Sequence, residues 1–105
     1  MDLIQKEISL IEDKQIITSR LRNILDGGVK EDFYKIAALL KKYSIDEMIR
    51  FYKEKYDDRM MLISIPSALV YFDIADKSDD PISLNGQTWE QIKKELRAKV
   101  REFLS

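Results

Sequence analysis

The feature that most constrains the fold of this chain is a seven-residue apolar repeat in its first quarter. Leucine or isoleucine recurs there every seven positions, and further apolar residues lie beside them or one turn away, which is the spacing of one helical face. This spacing predicts a long amphipathic helix over residues 2–26, ended by a left-handed cap at Gly27-Gly28. The repeat consists of Leu3, Leu10, Ile17 and Ile24, accompanied by Ile4, Ile8, Ile11, Leu21 and Leu25.

A seven-residue repeat is also typical of a coiled-coil seam, which needs a second apolar position three residues after the first. In this chain those positions hold Lys6, Asp13 and Arg20. Charged residues there disfavour a coiled-coil dimer. We therefore interpret the apolar face as one that packs in a globular core.

Two more helices are predicted between the glycine pair and the middle of the chain. Residues 30–43 carry apolar side chains at helical spacing. Ser44 and Glu47 then form a capping box, in which each satisfies the other's free backbone amide, so a third helix starts there. The apolar stripe of this helix extends to Met60 and Ile63, and the helix is expected to run nearly to the first proline.

The segment 59–85 fits two kinds of structure. Residues 60–65 and 69–74 have the apolar, β-branched and aromatic composition of strands. Pro66, in contrast, is typical of the first residue of a short helix. We favour the helix, and short strands or a β-hairpin between residues 60 and 86 are the alternative.

A final helix is predicted over residues 88–104. Thr88 and Gln91 form a second capping box, and apolar residues recur behind them at helical spacing. With 105 residues the chain has the length of one ordinary domain. The expected fold is a mainly α, single compact domain of four or five helices over residues 1–105.

The chain contains neither cysteine nor histidine. Disulfides, thiolate nucleophiles, imidazole bases and His-ligated metals are thereby excluded. The sequence also has no glycine-rich phosphate loop and no serine-nucleophile motif. We therefore expect a protein that is not an enzyme, with no catalytic residues and no cofactor.

Four aspartates lie within eight positions of one another, ahead of the predicted last helix. Carboxylates are the ligands that a hard cation prefers, but their spacing does not match a calcium-binding loop. We interpret the segment as an exposed acidic connection and expect no metal site. These residues are Asp73, Asp76, Asp79 and Asp80.

The formal net charge is −1, so no global field attracts nucleic acid. The last helix nevertheless carries a basic stripe of Lys93, Arg97 and Arg101, with Lys94 beside it. Glutamates on the same helix offset part of this charge. A nucleic-acid-binding regulator that uses these four residues is the alternative function.

Five tyrosines, four phenylalanines and one tryptophan exceed what the predicted core needs. Tyr34 and Phe51 lie off the centre of their helical faces, and Lys55 follows Phe51 by one turn. Aromatic residues rimmed by charge are common anchors of protein interfaces. Tyr34, Phe51 and Lys55 are therefore partner-binding candidates, unless a second layer of the fold covers the rings.

The most favoured function is that of a small non-enzymatic protein that binds another protein. Inhibitors, immunity factors and regulatory factors, including those carried by mobile elements, are proteins of this class. The chain has no signal-peptide pattern and no apolar run of about 20 residues. A cytoplasmic location and no membrane partner are therefore expected, and the oligomeric state is left open.

Overall fold

In the residues that it describes, the computed structural model of the chain has five α-helices. It describes residues 3–56, 61–82 and 86–105, without the side chains of residues 61–64. No strand occurs in these ranges, and the predicted mainly α, compact domain is confirmed. The helices are α1 (Leu3–Leu25), α2 (Lys30–Leu39), α3 (Ile45–Lys55), α4 (Met61–Leu69) and α5 (Trp89–Leu104), with one 3₁₀ turn at Ala75–Lys77.

The ends of α1 and α2 follow from local chemistry. Gly27 has a φ of +100°, and its N–H donates to the Ile24 carbonyl over 3.1 Å, so the predicted left-handed cap is confirmed. α2 ends at Leu39, four residues earlier than predicted. The reason is that Ser44 must be extended to cap α3, so the chain leaves the helical conformation before it.

Both predicted capping boxes are present. The Glu47 N–H donates to the Ser44 hydroxyl over 3.1 Å, and the Ser44 N–H donates to the Glu47 carboxylate over 3.1 Å. Thr88 and Gln91 exchange the equivalent bonds over 3.2 and 2.8 Å. These boxes fix the first residues of α3 and α5.

The middle of the chain corrects two predictions. α3 ends at Lys55 and Tyr56 is extended, so this helix does not run to the first proline; Met60 and the Ile63 side chain lie outside the described parts. Pro66 does not start a helix but lies inside α4, where it cannot donate a backbone hydrogen bond. α4 is buried at Ile65, Pro66 and Leu69, and this burial offsets the lost bond.

The core lies along the C-terminal half of α1. α1 packs against α2, α3 and α4, while α5 closes the opposite side against α2, α3 and α4. From α1, only Ile17, Leu21 and Ile24 enter the apolar core. The N-terminal half of α1 therefore lies outside the packed body.

Candidate protein-binding surface

The N-terminal half of α1 carries large apolar side chains that are 38–76% exposed. The predicted globular packing face is correct for Ile17 and Ile24, but wrong for Leu3 and Leu10, which belong to the same repeat. Isolated apolar residues on a surface are ordinary, whereas a contiguous group marks a binding site. We call this group the α1 face; it consists of Leu3, Ile4, Ile8, Leu10 and Ile11.

The α1 face is exposed because α1 is longer than its neighbours. α1 has 23 residues, whereas α2 has 10 and α3 has 11. At about 1.5 Å per residue, α1 exceeds either of them by roughly 18 Å. Neighbouring helices cover its second half and do not reach its first turns.

Asp13 and Lys14 anchor α1 where the exposed half begins. Asp13 accepts hydrogen bonds from Lys42 over 2.7 Å and from the Tyr43 hydroxyl over 2.8 Å. Lys14 pairs with Glu54 over 3.3 Å and lies 5.0 Å from the centre of the Phe51 ring. These contacts attach the middle of α1 to α3 and to the turn before it.

Burial and charge at this anchor shift two pKa values in opposite directions. Burial raises the pKa of Asp13, but the hydrogen bonds from Lys42 and Tyr43 outweigh it, so the pKa is lowered overall. Burial and the bond to the Asp13 carboxylate raise the pKa of Tyr43 to about 12. At neutral pH the anchor is therefore an ionised carboxylate bound by a neutral phenol and a cation.

Glu7 lies at the centre of the α1 face. Residues three and four positions apart are neighbours on a helix, and Glu7 has an apolar residue at each of these positions. Its carboxylate is exposed and forms no ion pair with any described residue. The four neighbours are Leu3, Ile4, Leu10 and Ile11.

The three predicted partner-binding candidates do not form one surface. Tyr34 is half-buried, stacks on Trp89 with ring centres 6.0 Å apart, and donates its hydroxyl to the Gln87 carbonyl over 3.4 Å. Burial and the nearby Asp80 charge raise the pKa of Tyr34. Its ring is thus part of the contact between α2 and the start of α5.

Phe51 and Lys55 lie on α3, away from that contact. Phe51 is half-buried; its ring packs edge-to-face with that of Tyr43, with ring centres 5.5 Å apart, and the Lys14 ammonium lies over its face. Lys55 is exposed and lies 5.5 Å from the centre of the Tyr56 ring. Intramolecular contacts therefore cover much of the Phe51 ring, and the role of Phe51 and Lys55 in partner binding stays a prediction.

Two aspartates of the acidic connection, Asp76 and Asp80, form ion pairs with lysines of α5 and α2. Asp76 accepts a hydrogen bond from the Trp89 indole over 2.7 Å and one from Lys93 over 3.1 Å, which lower its pKa. The exposed Asp80 carboxylate pairs with the ammonium of the buried Lys30 side chain over 2.8 Å. Among the described residues, no three acidic side chains converge as metal ligands would.

The predicted basic stripe on α5 is divided by these contacts. Lys93 pairs with Asp76 and Glu90, each over 3.1 Å, so its charge is already matched. Lys94 is exposed, and Arg97 lies 5.1 Å from the centre of the Phe72 ring. Only Lys94, Arg97 and Arg101 of the four candidates are left without a carboxylate partner in the described parts.

Arg97 and Arg101 border a groove of about 590 Å³ between the end of α4 and the last turns of α5. We call it the α5 groove. Val70, Val100 and Leu104 supply its apolar lining, Ser105 also lines it, and the groove is shallow and open to solvent. The groove combines an apolar floor with two guanidinium groups one turn apart.

Comparison with known proteins adds one relative. The chain is 30% identical over 99 residues to the uncharacterized protein aq_aa25 of Aquifex aeolicus (strain VF5). The match covers 92% of this chain and 47% of the relative, so the chain spans about half the length of that protein. No protein family and no solved structure matches the chain.

None of the helices in the described ranges is both long and apolar enough to cross a membrane. α1 has the required length, but charged residues interrupt it throughout.

The length of α1 was the signal that could have revealed the α1 face. Its apolar repeat covers more than twenty residues, whereas the next predicted helix, over residues 30–43, covers only fourteen. A helix that is longer than the helices packed against it leaves part of its apolar face uncovered. Periodicity alone does not say which part.

Proposed function

We propose that this protein acts by binding another protein through the α1 face. The observation that supports the proposal is the exposure of five large apolar side chains on adjacent turns of one helix. An amphipathic helix that inserts its apolar face into a groove is a common mode of protein recognition. The mode needs no catalytic residue and is compatible with an inhibitor, immunity or regulatory factor.

The chemistry of the α1 face specifies the partner surface. Full burial of each leucine or isoleucine side chain contributes about 1.5–3 kcal/mol, of which the exposed part is still available for binding. Glu7 would be buried together with them, and an unpaired buried carboxylate is costly. The partner therefore presents an apolar groove with a lysine or arginine opposite Glu7.

Affinity capture with three forms of the full chain tests this proposal. The forms are the wild type, Ile8→Asp in the α1 face, and Ile82→Asp as a matched control at an isolated position that is 93% exposed. We expect a stoichiometric partner on the wild type and on Ile82→Asp, and its loss from Ile8→Asp. The same set of captured proteins on all three forms would refute the proposal.

Nuclease treatment of the lysate separates this function from the alternative one. The alternative is nucleic-acid binding by Lys94, Arg97 and Arg101, which is supported by their lack of carboxylate partners in the described parts. It predicts that captured material disappears with nuclease, that affinity falls steeply with salt, and that Arg97→Ala or Arg101→Ala weakens it. Affinity that does not change with salt would exclude it.

A further inference from the structure

Two surfaces of this chain are apolar, exposed and oppositely charged. The α1 face has a carboxylate, Glu7, at its centre. The α5 groove has an apolar floor bordered by Arg97 and Arg101. Neither surface has an ion pair to a described residue that would match its charge.

The carboxylate restricts what can cover the α1 face. A surface that buries the four apolar neighbours of Glu7 also removes the carboxylate from water, which is unfavourable unless a cation accompanies it. A purely apolar groove or an acidic one is therefore a poor occupant. The α5 groove satisfies both requirements, because it offers apolar contact and two guanidinium groups that fit a carboxylate.

The two surfaces cannot meet within one molecule. α1 is a single helix from Leu3 to Leu25, and its second half is fixed in the core by Ile17, Leu21 and Ile24. Its first half therefore cannot turn back toward α5 without breaking the helix. Contact between the two surfaces must be intermolecular.

We infer that the α1 face binds the α5 groove of a second copy of this chain, and that two copies exchange this contact reciprocally. A reciprocal exchange closes into a two-fold dimer, in which each molecule contributes one face and one groove. The inference rests on the proposed function, since it assigns an occupant to the same α1 face.

Sedimentation velocity over a range of protein concentrations tests the inference. We expect the wild-type chain to shift from monomer to dimer as concentration rises, and the dimer to weaken with salt. Glu7→Arg, and separately the double variant Arg97→Glu with Arg101→Glu, place like charges together in both contacts. Each is expected to weaken dimerisation by at least about tenfold.

A mixture of these two variants is the decisive sample. In the mixed dimer the Arg that replaces Glu7 faces the two new glutamates, and the second contact keeps the native Glu7 and arginines. The mixture should therefore form dimers that neither variant forms alone. Lys35→Glu, which makes the same charge change at an exposed position of α2 outside the groove lining, is the control and should dimerise like the wild type.

The outcomes separate this inference from the proposed function. A wild-type chain that is monomeric at every concentration, or variants that dimerise like the wild type, would overturn the inference. Unchanged circular dichroism of each variant, and a melting temperature equal to that of the wild type at a concentration where both are monomeric, confirm that its fold is intact. If the chain is monomeric while Ile8→Asp loses a captured partner, self-association is refuted and the proposed function is kept. If the variant mixture dimerises while all three forms capture the same proteins, self-association is kept and the binding of a different protein is refuted.

Discussion

At the scale of single residues, Asp13 connects the exposed half of α1 to the packed body. Its carboxylate accepts bonds from Lys42 and Tyr43, and its pKa is lowered as a result. A lowered pKa in the folded state means that the stabilisation is present above the unfolded value of about 3.9 and is lost as the pH falls through the folded value. We expect Asp13→Asn to lower the melting temperature at pH 7, with the difference from wild type beginning to shrink near about pH 4 and disappearing below the folded pKa.

Melting curves between pH 2.5 and 7 measure this difference. Asp26→Asn is the matched control, because Asp26 is exposed and its only described ion pair is a surface contact of 3.5 Å with Arg22. Its melting curve should follow that of the wild type at every pH. A pH-independent difference for Asp13→Asn would contradict the assigned role of the carboxylate.

Gly27 is a second residue whose identity the backbone requires. It has a φ of +100°, and an added Cβ would lie 2.6 Å from the Ile74 Cδ1 atom. Gly27→Ala therefore combines backbone strain with a steric contact. We expect it to reduce the free energy of unfolding by about 1–3 kcal/mol, measured by urea denaturation. Gly86→Ala, also at positive φ but with no atom within 4 Å of an added Cβ, should cost less.

At the scale of elements, α1 consists of two halves with different roles. Ile17 is fully buried, whereas Ile4, the same residue type on the same helix, is 68% exposed. Ile17→Ala leaves a cavity and is expected to cost about 2–5 kcal/mol in urea denaturation. Ile4→Ala should change the free energy of unfolding by less than about 0.5 kcal/mol. Equal losses at the two positions would mean that the first turns of α1 belong to the core.

At the scale of the whole molecule, the chain has the size of an ordinary compact domain, with principal extents of 40 × 34 × 25 Å. The radius of gyration is 13.6 Å, compared with about 13 Å expected for a compact domain of this length. The apolar core begins at Ile17. Removal of residues 1–11 should therefore leave a body that unfolds cooperatively at a melting temperature within a few degrees of the full chain.

Calorimetry of the shortened and full chains measures that difference. The shortened chain should also lose partner capture and dimer formation, because the α1 face is missing. Loss of cooperative unfolding would show instead that the first half of α1 stabilises the body.

The positions of the helices, and most of their ends, follow from local sequence patterns. Helical periodicity, the Gly27 cap and the Ser44 and Thr88 capping boxes depend on residues within one or two turns of each other, so they can be read locally. The absence of cysteine and histidine is a property of the composition alone, and it excludes disulfides, thiolate nucleophiles and imidazole bases. Local patterns also favoured a helix in the middle segment, although its start at Met61, ahead of Pro66, was missed.

Which part of the α1 repeat is buried depends on how the helices pack against one another. Periodicity gives the direction of a helical face but not the length over which neighbouring helices cover it, so Leu3 and Ile17 were indistinguishable in sequence. The contacts that match Lys93 with Asp76 and cover Phe51 with Lys14 join residues 17 and 37 positions apart. Such pairings depend on how helices pack, and a local pattern carries no information about them.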